Sequence, residues 1–185
     1  MERGALEAAK PSVYDLPMQA RKPREFTTGR CDGCGLPADG PRPACEEMRD
    51  ELLAREFEQP AYWRYHRMAV DAYCLQHPRR YCESAKSLAA HLCGLCIAFD
   101  MNNDAAILRG IQQWLSGNPA LSKPTLPGSR GDKTIADVYG MEEPSAYGRA
   151  VEGWARSVWA AYEDLHNLAR DWVSQSRSGR SSKAG

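Results

Sequence analysis

Apolar residues recur at spacings of three and four through most of the chain, and no stretch of comparable length alternates with a period of two. That pattern predicts helices and no sheet. Cys45, Met48 and Leu52, with Leu53 and Phe57 beside them, form the stripe of a first helix over about 44–58. Pro60, tolerated in a first turn, opens a second helix whose stripe runs Trp63, His66, Val70, Tyr73 and His77 until Pro78 stops it. Ser84 is suited to cap a third, with Leu88, His91, Leu95 and Phe99 on its buried face. A fourth covers about 103–116, with Ile107, Ile111, Trp114 and Leu115 inward and Gly117 at its end. The proline- and glycine-rich run 117–133 reads as a long loop, and Thr134-Ile-Ala-Asp137 as a short capped turn that Gly140 ends. The longest stripe, Tyr147, Val151, Trp154, Val158, Tyr162, Leu165, Leu168 or Ala169, and Trp172, predicts a last helix over about 145–173 with a wide aromatic core face.

The expected fold is therefore all-α, a bundle of about five helices preceded by a small N-terminal zinc-knuckle-like Cys loop. One helical domain over 28–173, with the Cys loop at 28–45, lies between a flexible N-terminal tail, 1–27, and a flexible basic C-terminal tail, 174–185. At 43% hydrophobic and 26% charged residues the chain can bury a core and is not disordered throughout. Its 24 basic and 24 acidic residues cancel, so it lacks the cationic surplus of a non-specific nucleic-acid binder, and no nucleic-acid partner is expected. The cancellation is uneven. Residues 1–30 hold six basic and four acidic groups and 174–185 hold three basic and none acidic, which leaves 15 basic against 20 acidic in the middle. The first 26 residues lack the apolar segment of a secretory signal, and the longest apolar run, Leu92 to Phe99, is far short of the roughly 20 residues that span a bilayer. A cytoplasmic location without membrane attachment follows, with the thiols kept reduced.

Seven cysteines in 185 residues then become the main chemical feature, and their odd number leaves at least one unpaired under any intramolecular disulfide scheme. Cys31-Asp-Gly-Cys34-Gly35 places two thiolates where one tetrahedral ion can be gripped, with glycines that let the backbone fold beneath it. Cys45 follows at the expected start of the first helix, where the helix N-terminus favours its thiolate. A closed site needs a fourth ligand. If the first two helices pack antiparallel across the short link at Pro60, residues 72–77 return to the level of Cys45. His77 is the expected ligand, with Cys74 and Cys82 as alternatives and Zn2+ as the expected ion. Cys93 and Cys96, spaced as a second pair, sit mid-helix among apolar residues and read as small core side chains.

The histidines offer a rival centre. His66 and His77 share a helical face but stand about 16 Å apart along it, so they cannot share an ion. His91, returning on the third helix, falls nearer His66, and His166 on the last helix can join them. A second metal held by His66, His91 and His166, with Asp71, Tyr73 or Gln76 orienting substrate or moving protons, would make a metalloenzyme. No phosphate loop, Gly-x-Ser-x-Gly elbow or His-Glu-x-x-His helix is present.

The run Cys31-x-x-Cys34-Gly35, Cys45, His66-x4-Asp71-Ala-Tyr73-x-x-Gln76-His77-Pro78 resembles the bacterial family known as domain of unknown function 5946. Ser87-Leu-Ala-Ala-His91-Leu92, Thr134-Ile-Ala-Asp-Val138 and Trp154-Ala-x-Ser-Val-Trp159 resemble it too, so the likeness covers about residues 28–173. The resemblance implies that the cysteine loop and histidine helices form one unit, and it carries no activity. A looser likeness, in fold class and histidine count, is to DinB-type four-helix proteins with a three-histidine metal centre. The reading that results is a metal-binding helical protein with a structural Cys3His site and a binding role toward a small molecule or protein; a metalloenzyme is the alternative.

Overall fold

Two aromatic-rich helices and a leucine-rich one meet along the middle of the chain, and everything else is arranged about them. The structure, a computed structural model, describes residues 29–37 and 44–181. The expected tail 1–27, the proline-rich stretch 38–43 within the Cys loop and residues 182–185 lie outside the described residues. The helices are α1 (Cys45–Glu58), α2 (Pro60–Trp63), α3 (His66–Gln76), α4 (Pro78–Tyr81), α5 (Ala85–Asp100), α6 (Ala105–Ser116), α7 (Pro144–Ala161) and α8 (His166–Ser181). Single 3-10 turns cover Ile135–Asp137 and Glu163–Leu165. Among the described residues there is no strand, only an isolated antiparallel bridge between Arg30 and Pro37, and no helix long and apolar enough to cross a membrane.

Helix α3 is the axis. It packs against α5 on one side and α7 on the other, while α8 closes over α5 and α6. Leu75, Leu88, Leu92, Leu95 and Ile97 fill the seams together with Tyr147, Trp154 and Tyr162, all fully buried. Helix ends carry the caps that their residues suggest. Ser84 accepts from the Ser87 amide, and Asp104 from those of Ala106 and Ile107.

Three expectations need correction. The second predicted helix is broken at Arg64–Tyr65 into α2 and α3, and the break turns Trp63 out of the core to 48% exposure beside the 66%-exposed Phe57. Tyr65 is set there because its ring lies against the backbone of Gly148 on α7, where an added Cβ would be 2.2 Å from the ring. The single last helix is likewise two. Past Ala161 the backbone tightens into the turn Glu163–Leu165, and the His166 Nε2–H donates to the Trp159 carbonyl at 2.9 Å, alongside the Tyr162 amide that also bonds there. Helix α8 then continues to Ser181, past the expected end at 173, with Ser176 buried.

The 117–133 loop is irregular but pinned. The Gln76 side-chain amide donates to the Arg130 and Lys133 carbonyls at 3.0 and 2.7 Å and accepts the Trp154 indole N–H at 2.9 Å. Ser157 Oγ receives the amides of Asp132 and Lys133. One buried amide thus ties α3, α7 and the loop together. Gln76→Ala leaves a buried indole N–H without its acceptor, so a loss of about 2–3 kcal/mol is expected. Trypsin should then cleave after Arg130 or Lys133 well before it attacks the helices; a cleavage rate equal to that of the parent would refute the tie.

Candidate metal centre

The antiparallel return of the chain builds this site. The start of α1 lies against the end of α3, since Cys45 Sγ is 3.9 Å from the Tyr73 hydroxyl. The other end of α1 lies against the start of α3, where Glu56 meets His66. The cysteine loop caps the same corner: the Cys31 amide bonds to the Leu36 carbonyl and the Gly35 amide to the Cys31 carbonyl, both at 2.8 Å, folding the backbone into a knuckle. Gly33 lets that knuckle sit on α3, because a Cβ there would lie 2.3 Å from His77 Cδ2 and 2.8 Å from the Gln76 carbonyl.

One ligand atom from each of Cys31, Cys34, Cys45 and His77 lies within 4.8 Å of the others. Cys31 Sγ is 3.3 Å from both Cys45 Sγ and His77 Nε2, and Cys45 Sγ is 3.6 Å from His77 Nε2. A tetrahedral ion bound at about 2.3 Å to sulfur and 2.0–2.1 Å to nitrogen separates its ligands by about 3.5–3.8 Å, and the observed 3.3–3.6 Å lie within a few tenths of an ångström of that range. All seven cysteines are free thiols, so no disulfide competes for these sulfurs. His77 is oriented independently of the sulfurs. Its Nδ1–H donates to the Tyr73 carbonyl at 2.7 Å, which leaves Nε2 as the ligand atom, and the Tyr73 ring stacks on it at 4.1 Å.

The electrostatics favour a cation. Contacts with the Cys34 and Cys45 thiols hold Cys31 far below the ordinary thiol range. The reciprocal contact with Cys31, then with Cys45, together with burial, pushes Cys34 far above it. Cys45 falls, its contact with Cys31 being outweighed by those with Cys34 and His77. Burial alone would lower His77, yet bonds to Cys31 and Cys45 push it up to about 9. The opposite shifts show thiols and an imidazole acting strongly on one another, as donor groups gathered for a single cation do. Burial raises the Tyr73 phenol well above its usual range, so it keeps its proton near neutral pH and offers no phenolate base there.

Of the two alternative fourth ligands, Cys82 turns its Sγ to the Cys74 carbonyl at 3.6 Å, and Cys74 meets His91. Neither joins the group. Cys93 and Cys96 are fully buried in α5. The other three histidines are not brought together. His66 Nδ1 bonds to buried Glu56 at 2.9 Å, and its ring stacks on Trp63. His91 Nδ1 bonds to Asp71 at 3.0 Å, and His166 stacks on Trp159 at 3.6 Å while closing α7. Among the described residues, Cys31, Cys34, Cys45 and His77 form the one group of three or more such ligands. Asp71 is engaged by His91 and Arg67, and Gln76 by the loop.

The buried Arg49 and Glu56 were missed from the sequence. Arg49 lies over the Tyr73 ring at 5.3 Å and bonds to the Tyr81 hydroxyl, so it braces the residues that hold His77. Glu56 accepts from His66 and the Tyr147 hydroxyl. Glu56 could have been found: it extends the stripe of Cys45, Met48 and Leu52, where a carboxylate implies a buried partner.

The family model described as "Family of unknown function (DUF5946)" matches residues 29–163, from the knuckle to the end of α7. No curated protein and no solved structure matches the chain.

Proposed function

This chain belongs to the family of unknown function DUF5946, and we propose that it is a zinc-binding helical protein whose ion is structural and whose role is to bind a small molecule or protein. The observation that carries the reading is the convergence of four donor atoms within 4.8 Å, three of their residues buried and one half-buried. Three thiolates and an imidazole are the soft donor set that suits Zn2+, and four protein ligands leave no open position for substrate. The ion would neutralise thiolates that otherwise repel one another. Cys31 and Cys34 then hold the knuckle, Cys45 the start of α1, and His77 the end of α3.

A reducing cytoplasm is the compartment that suits free thiols of this kind. The zero net charge supports a protein or small-molecule partner over nucleic acid. The metalloenzyme reading lacks a supporting observation, because His66, His91 and His166 each have separate partners.

Native mass spectrometry with elemental analysis tests the proposal. One zinc per chain is expected in the purified protein, lost together with Cys45→Ser or His77→Ala and retained in His166→Ala. A protein without metal, or zinc retained in both ligand variants, overturns the structural site. Two ions per chain would overturn the claim that the Cys3His site is the sole centre.

A further inference from the structure

The break between α2 and α3 presents a pair of aromatic rings that the metal site does not use. Phe57 and Trp63 stand exposed side by side, their ring centroids 4.9 Å apart. Both are fixed from beneath. Trp63 stacks on the His66 ring at 4.4 Å and 13°, and Phe57 meets that ring edge-on at 5.2 Å. His66 is held in turn by Glu56, a buried carboxylate that also takes the Tyr147 hydroxyl. Exposed rings fixed in this way mark a binding surface, because little of their freedom is left to lose when something docks.

The surroundings are acidic. Residues 45–65 carry six acidic and three basic groups, and residues 134–143 three acidic and no basic ones. Glu47, Glu51 and Glu58, spaced by four and seven, run exposed along the outer face of α1. Exposed Met141 borders that face: Arg55 donates to its carbonyl at 2.8 Å, and the Tyr139 hydroxyl donates to Glu51 at 2.8 Å. The complement of this face is a basic segment with apolar side chains for the two rings.

This chain holds such a segment outside the described residues. In Tyr14-Asp-Leu-Pro-Met-Gln-Ala-Arg-Lys-Pro-Arg24, Tyr14, Leu16 and Met18 are followed by Arg21, Lys22 and Arg24, with Asp15 the one acid. The described chain begins at Gly29 and enters the fold at the first turn of α1, where Cys31 Sγ is 3.3 Å from Cys45 Sγ. From Cys45 to Phe57 is about 18 Å of helix. Arg24 and Tyr14 lie five and fifteen positions before Gly29, which allows reaches of up to about 16 and 50 Å. The order along the chain therefore brings the bases to Glu47 and Glu51 and the apolar residues to Phe57 and Trp63.

We propose that residues 14–24 dock in cis on the outer face of α1, with their apolar side chains on Phe57 and Trp63 and their bases beside Glu47 and Glu51. A tether this short holds the segment at about millimolar effective concentration, so contacts of modest strength keep the face occupied. No part of this depends on the ion.

Zero-length cross-linking with a carbodiimide tests the proposal. The sample is an equal mixture of unlabelled and nitrogen-15-labelled full-length protein at low salt, read by peptide mass spectrometry. Lys22 is expected to form amide links to Glu47 or Glu51, both peptides carrying the same isotope. Trp63→Ala, with helical circular dichroism unchanged, should lower the yield of these links about threefold or more. Should that variant not fold, Phe57→Ala, which removes the more exposed ring, takes its place with the same expectation. Absence of these links, or Lys22 linked mainly to acids elsewhere, overturns the proposal, as does a yield unchanged in the folded variant. Links that mix the isotopes also overturn it, and assign the face to a second copy of the chain.

Discussion

Removal of the ion by a chelator is expected to lower the melting midpoint by about 8–16 °C. At free metal about 1,000-fold above its Kd, binding contributes about 4 kcal/mol, and each kcal/mol moves the midpoint of a domain this size by about 2–4 °C. The damage should be regional. The knuckle has no helix of its own, and what holds it at the corner of α1 and α3 is the group Cys31, Cys34, Cys45 and His77. The seams of α3 with α5 and α7, by contrast, are filled by leucines and aromatic rings outside that group of ligands. Hydrogen exchange should accordingly rise in the knuckle and the first turns of α1 while α5 and α7 stay protected. Gly33→Ala should reproduce much of this without altering a ligand, because its methyl group would collide with the His77 ring. A midpoint unchanged after the ion is demonstrably gone would refute the structural role.

The second large effect is expected from Asp71→Asn. Asp71 is fully buried between His91 and Arg67, and removing its charge leaves two cations facing a neutral amide. Breaking a buried pair from one side costs about 3–5 kcal/mol, or about 6–20 °C in melting midpoint for a domain of this length. The pH dependence identifies the partner. His91 is raised from 6.5 to about 10 in the folded protein, so its share of stability is complete below pH 6.5 and fades as pH climbs through 10. The deficit of Asp71→Asn should therefore be largest near pH 6 and smaller near pH 9.5, as read from urea midpoints at each pH. A deficit that is flat across that range would mean that His91 is not the group stabilised.

The helices that could be read from the sequence are those whose stripe is self-contained. Met48 and Leu52 in α1, Leu88 and Leu95 in α5, and Ile111 and Leu115 in α6 repeat at helical spacing and are buried where the pattern places them. Two breaks could not be read, because each is set by a distant residue. Tyr65 interrupts the second helix against Gly148, and His166 closes α7 on the Trp159 carbonyl, while both sequences keep helical spacing through the break. The site divides in the same way. Spacing and chain return alone led to Cys31, Cys34, Cys45 and His77, because a two-thiol knuckle and an antiparallel pair of helices have few arrangements. The partners of the other histidines depend on which faces meet across the bundle, and helical period does not contain that. His66 finds Glu56 and His91 finds Asp71, so the histidines are not gathered in the way that their count alone suggested.

The spread of the four ligands along the chain also sets an order of assembly during synthesis. Cys45 and His77 meet from 32 positions apart along the chain, and Cys31 and His77 from 46. At about 5–20 residues per second, His77 leaves the ribosome some 2–6 seconds after Cys45. Through that interval the nascent chain carries three thiols without their imidazole or the helix that positions it. The corner can close only when α3 has emerged, so translation speed, and not metal supply alone, times the point at which these sulfurs are shielded from oxidants.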